Sequence, residues 1–310
     1  MSSIQIYLSI SQIAILIGES PYGSLSDIIL NLWPKVDNEK YQKILKKIEK
    51  KYKTSLKTLT EWERLNILAN ELGLTDIIAK TQQSMKKTTH NSLLEDQNII
   101  ITEINNLEIP DIDKTELENK KTALIKMVSG FSNRGFGSHN ENNAIETYTN
   151  TTKYKISEKQ KVVIGRIKRI TDASTNKTIE WFIKGKIDGI ATDKKGHSRL
   201  IEVKNRTKTL FGCLKEYEKP QIQTYLKLLN LDKAHMVENL SNQINILDVD
   251  FEEDYWKFIL KRLLSFITFF YNFLENNQLQ ETLLLKNSTD NLTNETIEKE
   301  LRHILASYFV

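Results

Sequence analysis

Gly185-Lys186-Ile187-Asp188-Gly189 is followed by a turn around Lys194-Lys195-Gly196 and then by Leu200-Ile201-Glu202-Val203-Lys204. The pattern predicts two antiparallel strands joined by a short turn. Successive side chains leave a strand on opposite faces, so Glu202 and Lys204 share one face while Ile201 and Val203 turn into a core. Asp188 ends the first strand and is placed to face the Glu202–Lys204 pair. Two carboxylates that close repel unless a cation sits between them. Hard oxygen ligands suit Mg²⁺ or Mn²⁺. An adjacent lysine can hold a phosphate or an attacking water, so the patch carries the equipment for metal-assisted phosphodiester hydrolysis. The competing reading is plain solvated charge, because Glu-x-Lys on a strand is common. The flanking apolar residues favour a built site, and the rest of the chain has to decide.

With 310 residues the chain can form one large domain or two modest ones. A hydrophobic content of 39% and a charged content of 27% fit a soluble globular protein. Cys213 is the only cysteine, which excludes an intrachain disulfide. The N-terminus lacks the basic region of a signal peptide. The most apolar run, Leu263 to Leu274, is shorter than the ~20 residues a membrane span needs. The Asn-x-Ser/Thr triplets at Asn205, Asn291 and Asn294 read as coincidence in an Asn- and Thr-rich chain. These features place the protein in a reducing intracellular compartment, cytoplasm or host nucleus, with no membrane partner. The net charge of +4 is uneven: −1 over residues 1–150, +10 over 151–220 and −5 over 221–310. The positive excess surrounds Asp188, Glu202 and Lys204. It reads either as a solvated basic face or as the footprint of a polyanion.

Taken in order, residues 1–34 predict two short helices. Ser9 or Ser11 caps the first, Gly18 ends it, and the second runs from about Ser26 to Trp33. Ser11 offers a hydroxyl beside helix-start amides, an anion seat or a plain cap. Residues 35–125 read as a mainly helical insertion, with helices at Lys43–Lys53 and Trp62–Leu72 and a polar stretch of loop and short helix over Gln82–Lys121. Glycines around Arg134-Gly135-Phe136-Gly137 precede a helix that sets Glu141, Ala144 and Tyr148 on one face. An inward glutamate needs a partner, and a metal is one. Strands follow at Val162–Ile170, Ile179–Thr192 and Leu200–Asn205, with a loop at Thr171–Lys177. A helix over residues 214–231 stacks Gln221 and Tyr225 on one face. Strands at Ala234–Glu238 and Ile244–Val249, a long helix over Glu253–Leu274 and a closing helix over Glu295–Tyr308 complete the chain.

In this order the motifs resemble the PD-(D/E)xK nuclease superfamily, and within it the lambda exonuclease/YqaJ-type viral recombinase family. Ser11-Gln12-Ile13 through Gly18 with Ser20-Pro21-Tyr22 is similar to the family's opening helix and turn. Gly137-x3-Glu141-x2-Ala144-x3-Tyr148 is similar to the helix of its first acidic ligand. Asp188 and Glu202-x-Lys204 are similar to its catalytic core, and Gln221-x-Gln223-x-Tyr225 to its glutamine helix. The match covers about residues 5–30 and 130–250, and the segment before Glu141 is longer than the family pattern. The resemblance implies an α/β fold, a central mixed sheet flanked by helices. The expected divisions are an N-terminal helical part (1–34), a helical insertion (35–125) and a nuclease core with C-terminal helices (126–310). It implies Mg²⁺ or Mn²⁺ held by Asp188, Glu202 and a backbone carbonyl of Ile201 or Val203, with Glu141 directly or through water. Lys204 would activate water, Gln221 and Tyr225 would position it or the strand, and Ser11 or Arg134 would grip a phosphate. The implied activity is 5′→3′ digestion of linear duplex DNA from a free end, in recombination, repair or viral DNA processing. A homo-oligomer and a single-strand annealing partner fit that role. A structure- or site-specific endonuclease and a catalytically silent nucleic-acid-binding module are the alternatives.

Overall fold

The computed structural model describes residues 3–52, 59–110, 112–172, 177–241, 243–289 and 291–309. The chain opens with a strand, β1 (Ser3–Ser9), where helix alone was expected. Its Ile4, Ile6 and Leu8 alternate with polar residues, and it pairs in parallel with β4 (Lys177–Lys186). A 3-10 turn (Ile10–Gln12) and a one-turn helix α1 (Ile13–Leu16) follow, and the chain leaves α1 through Gly18 at φ +82°. Helix α2 (Leu25–Val36) starts one residue before the expected Ser26, because the Ser24 hydroxyl accepts from the Asp27 N–H at 3.0 Å.

Helices α3 (Asn38–Tyr52), α4 (Glu61–Glu71), α5 (Ile77–Ser84), α6 (His90–Asn105) and α7 (Lys114–His139) come next. The stretch expected to be loop and short helix, Gln82–Lys121, is therefore largely occupied by the long helices α6 and α7. Its apolar stripe is thin, but Leu93, Ile100 and Ile104 of α6 are fully buried. Helix α3 packs into the main core through Tyr41, Ile44 and Ile48. Helices α4 to α7 enclose a small core of their own, with Leu65, Ile77, Ile104 and Leu124 at its centre. The expected boundaries at 35 and 125 fall inside α2 and α7. Helix α7 also runs straight through Gly130, Gly135 and Gly137, so the glycines expected to precede the Glu141 helix lie within a helix of their own, which ends at His139. Gly135 is needed there for space, because a Cβ would sit 2.4 Å from Met85.

Helix α8 (Glu141–Thr152) leads into β2 (Lys155–Ser157), β3 (Val162–Asp172) and β4. Residues 173–176 of the expected hairpin loop lie outside the described residues. β5 (Gly189–Thr192), β6 (Ser198–Asn205), α9 (Lys219–Leu229), β7 (Lys233–Leu240) and β8 (Gln243–Asp250) follow. The chain closes with α10 (Glu253–Glu275), α11 (Asn277–Thr289) and α12 (Asn291–Ala306). The expected α/β architecture is present, and both its sheets are mixed. One has the order β1-β4-β3 and the other β2-β5-β6-β7-β8, with β6 and β7 parallel. The strand expected over Ile179–Thr192 is broken at Ile187–Asp188, where the chain passes from one sheet to the other. Ile187 is fully buried and its N–H donates to the Lys161 carbonyl at 3.0 Å, which fixes the break.

The antiparallel β5–β6 pair sets Gly189 opposite Ile201, as the alternation predicts. β6 is covered on both faces. Leu200 joins the main core beneath α9 and α10, while Ile201 and Val203 pack on Ala144, Ile145 and Tyr148 of α8. The apolar run Leu263–Leu274 supplies Phe266, Phe269, Phe270 and Phe273 to the main core. No helix of the described residues is long and apolar enough to cross a membrane.

Candidate active site

The break at Ile187–Asp188 turns the Asp188 carboxylate toward β6. The β5–β6 ladder ends at Gly189 opposite Ile201, and Asp188 takes over by accepting the Val203 N–H at 2.6 Å. Glu202 lies one residue before, on the α9 face, and is 3% exposed. Its Oε1 accepts from the Lys204 ammonium at 2.8 Å and from the Gln221 amide at 2.7 Å. Lys204 also donates to the Gln221 Oε1 at 3.2 Å. Glu202 Oε2 is buried and has no hydrogen-bond partner. A buried carboxylate oxygen without a partner costs free energy, which a bound cation or its water removes.

Helix α9 delivers Gln221 to this point, and its N-terminus is held from β6. Arg206 follows Glu202 and Lys204 on the same face of the strand. Its guanidinium binds Glu218, the residue before α9, with two bonds of 2.6 and 3.0 Å, and binds Glu238 of β7 at 2.8 Å. Glu238 in turn accepts the Phe211 and Gly212 N–H groups at 3.1 and 2.9 Å. Period-two spacing from Glu202 pointed at Arg206, but its two acidic partners are distant in sequence. One turn along α9, the Tyr225 hydroxyl donates to the Lys186 carbonyl at 2.9 Å, two residues before Asp188. Gly185 makes this approach possible, since a Cβ there would lie 2.6 Å from the Tyr225 oxygen and 2.9 Å from Ile10.

Glu141 opens α8 and faces the same carboxylates, with the Gln160 amide donating to it. Asn140 anchors this corner by donating to the Lys87 and Phe136 carbonyls at 2.8 and 3.0 Å. Burial, then Glu202, then Glu141 push the Asp188 carboxyl up to about 9. Burial and Glu202 also raise Glu141, against the opposing pull of Asp188, Lys186 and Gln160. Burial alone would lower Lys204, but Glu202 and then Glu218 outweigh it and hold the ammonium charged. Burial followed by the Glu202 charge raises the Tyr225 phenol, so it stays a neutral donor.

Among the described residues, no group of three His, Cys, Asp or Glu side chains is already disposed to hold a metal ion. Mg²⁺ asks for less than such a cage, since it keeps several waters and binds through one or two carboxylates. Asp188 and Glu202 meet that requirement. Both are carboxylates, they repel each other, and Glu202 brings an unpartnered oxygen. Val203 lies beyond the last β5–β6 pair, and its N–H and C=O share the edge that faces Asp188.

Two candidates are placed differently from the rest. Ser11 sits in the 3-10 turn, exposed, its hydroxyl 2.8 Å from that of Ser9. It caps no helix, and the turn packs against Gly185 through Ile10. Arg134 lies inside α7, where Glu61 pairs with it at 2.8 Å and Phe131 stacks beneath it at 4.7 Å. The structure thus brings Asp188, Glu202, Lys204, Glu141 and Gln221 together, with Tyr225 one carbonyl away, and engages Arg134 in the helical layer. The amides that open α2 are filled, since Leu25 and Ser26 donate to Glu298 at 2.8 and 3.0 Å.

A second buried polar group backs β6 from the other side and was not apparent in the sequence. His235 accepts or donates at 2.6 Å with the Tyr148 hydroxyl, stacks on Tyr154, and lies 3.1 Å from Asp248. Burial, then the Arg199 charge, lowers its pKa. It ties α8, and so Glu141, to β7.

No protein-family model and no curated protein matches the chain. Among solved structures, the chain is similar to SSO0001, with 22% identity over 50% of this chain and 68% of that one and a TM-score of 0.33. It is also similar to an alkaline exonuclease, LHK-Exo, from Laribacter hongkongensis, with 15% identity over 63% of this chain and 88% of that one and a TM-score of 0.35. The same exonuclease in complex with dAMP aligns at 16% identity over 63% of this chain and 87% of that one, with a TM-score of 0.34.

Proposed function

We propose that this chain is a divalent-metal-dependent deoxyribonuclease of the PD-(D/E)xK type that digests linear duplex DNA from a 5′ end. The observation that carries the reading is the buried Glu202. One of its oxygens is shared by Lys204 and Gln221, the other is buried without a partner, and its charge crowds Asp188. Asp188, Glu202 and the Val203 carbonyl would hold Mg²⁺ or Mn²⁺, with Glu141 joining directly or through a water. When bound, the cation supplies neutralisation of phosphate charge and a more acidic water.

The chain's own groups do the rest. Lys204 donates to the attacking water or to a non-bridging phosphate oxygen, and its charge opposes the negative charge that grows on the phosphate. Gln221 donates to Glu202 and accepts from Lys204, which holds the two side chains together. Tyr225 holds the strand end that aims Asp188. The water oxygen bonds to phosphorus as the bond to the leaving oxygen breaks; the water gives up one proton to solvent and the leaving oxygen takes one from solvent, so the hydrolysis balances. Ser11, exposed on the turn against Gly185, would grip a neighbouring phosphate.

The test compares end-labelled linear duplex with closed circular DNA, in Mg²⁺ and in EDTA, for the wild type and Lys204→Ala. Metal-dependent loss of the linear form alone, abolished in Lys204→Ala, is the expected result. Cutting of the circle would make the protein an endonuclease on the same site. Binding without cleavage in any metal would overturn the enzymatic reading.

A further inference from the structure

One face of the β1-β4-β3 sheet packs on the core, and the other exposes Tyr7, Val162, Ile164 and Lys184 among the described residues. The sides are set by register. Val163, Gly165, Trp181, Ile183 and Gly185 face inward, and a Cβ on Gly165 would meet Leu228 of α9 at 2.3 Å. The opposite face carries Tyr7 on β1, Phe182, Lys184 and Lys186 on β4, and Val162, Ile164 and Arg166 on β3. Tyr7, Val162 and Ile164 are 40%, 48% and 51% exposed. A bulge at Ile167 returns Arg169 to the same side, opposite Glu180. Glu180 is the one acid among the described residues of this face, and Ser3 and Arg166 already bond to it at 3.3 and 3.5 Å.

Two observations give this face an occupant. The first is its chemistry. Tyr7 and Phe182 stack at 5.3 Å with their planes 22° apart, and the Lys184 ammonium lies 5.4 Å from the Tyr7 ring. Aromatic surface interleaved with lysine and arginine suits unpaired bases and their phosphates, and suits an apolar protein partner poorly. The second is continuity. Lys186 stands at the end of the same strand, and Asp188 follows two residues later.

We propose that this face is a track for a single strand of DNA that runs to or from the candidate site. The proposal rests on the nuclease reading for its direction, and on the face itself for its binding. From Glu180 to Lys186 the track is about 20 Å long at ~3.3 Å per strand residue. That length accommodates about six stacked nucleotides at ~3.4 Å each.

The experiment is fluorescence anisotropy of labelled oligothymidylates, three to twelve nucleotides long, with the full chain in EDTA. It compares the wild type with Tyr7→Ala and Lys184→Gln, both surface changes whose folding is checked by circular dichroism. Affinity should rise with length to about six nucleotides and then flatten, in the range of site sizes such grooves show. Tyr7→Ala should weaken binding about tenfold. Lys184→Gln should reduce the salt dependence by about 0.7 in slope. Wild-type affinity in both variants overturns the proposal. So does a fall in sedimentation coefficient in Tyr7→Ala with DNA binding intact, which makes the face a contact between copies of the chain. The nuclease assay is read separately. A chain that binds as described but cleaves nothing sinks the nuclease reading and leaves the track, while cleavage with unaltered variant binding does the reverse.

Discussion

At the residue scale, the site combines one satisfied and one unsatisfied carboxylate oxygen on Glu202 with a crowded neighbour, Asp188. The crowding has a consequence that needs no substrate. Asp188 in the folded chain binds its proton up to about 9, well above the ordinary carboxylate value of 3.8. The folded state therefore keeps a proton that the unfolded chain has lost, and stability falls as pH rises from about 4 toward about 9. In EDTA the melting temperature should drop between pH 5.5 and 8.5, and Asp188→Asn should flatten that drop while still accepting the Val203 N–H. An equally steep fall in the variant would contradict the assignment. The Glu202–Lys204 and Gln221–Tyr225 pairs were legible in the sequence because each lies on one strand face or one helix face, and Asp188 because it ends the strand before them. The place of Arg134 was not, because its glycine-rich surroundings read as a lead-in to the Glu141 helix, whereas packing on Met85 and Phe131 goes with a helix of their own. The Arg206–Glu218–Glu238 and Tyr148–His235 groups join distant segments, which no local pattern reveals.

At the element scale, the decisive feature is the split between β4 and β5. The stretch from Ile179 to Ala191 marks it only through Asp188-Gly189, and the break itself is made by tertiary bonds to the Lys161 carbonyl and from the Val203 N–H. β1 did have its period-two signal in Ile4, Ile6 and Leu8, but the helical spacing that follows from Ile10 to Ile17 masked it. Helix α11 was missed because its sequence is mostly polar, although Asn276 caps it by accepting the Leu279 N–H at 3.0 Å and Leu283 and Leu284 bury it against the main core. Two glycines test how the strands meet α9. A Cβ on Gly165 would touch only the end of the Leu228 side chain, which can swing away. A Cβ on Gly185 would meet the Tyr225 oxygen and Ile10 together. Gly185→Ala should therefore cost about 1–3 kcal/mol and slow DNA cleavage, while Gly165→Ala should cost less. Urea unfolding of the two variants orders them, and the reverse order would mean that Tyr225 does not set the strand end.

At the scale of the whole molecule, the two ends of the chain meet behind the site. Glu298 of α12 closes the N-terminus of α2, and Arg302 donates to the Ser20 and Gly23 carbonyls at 2.6 and 3.0 Å. The turn they hold presents Tyr22, which packs edge-on against Tyr217 in the segment before α9 at 5.2 Å. Glu298→Ala should lower stability by about 1–2 kcal/mol, seen as an earlier thermal transition, with reduced cleavage because the turn loosens. An unchanged transition would show that α12 is not the clamp. All these layers converge on one carboxylate, and the measurement that tests it most directly is the release of acid-soluble nucleotides from a labelled linear duplex in Mg²⁺ by wild type and Glu202→Gln. The wild type should release nucleotides only with metal, and the variant, folded to the same melting profile, should be slower by about 100-fold or more. Equal release by a folded Glu202→Gln protein would contradict the account, because the oxygen on which the site is built would then be dispensable.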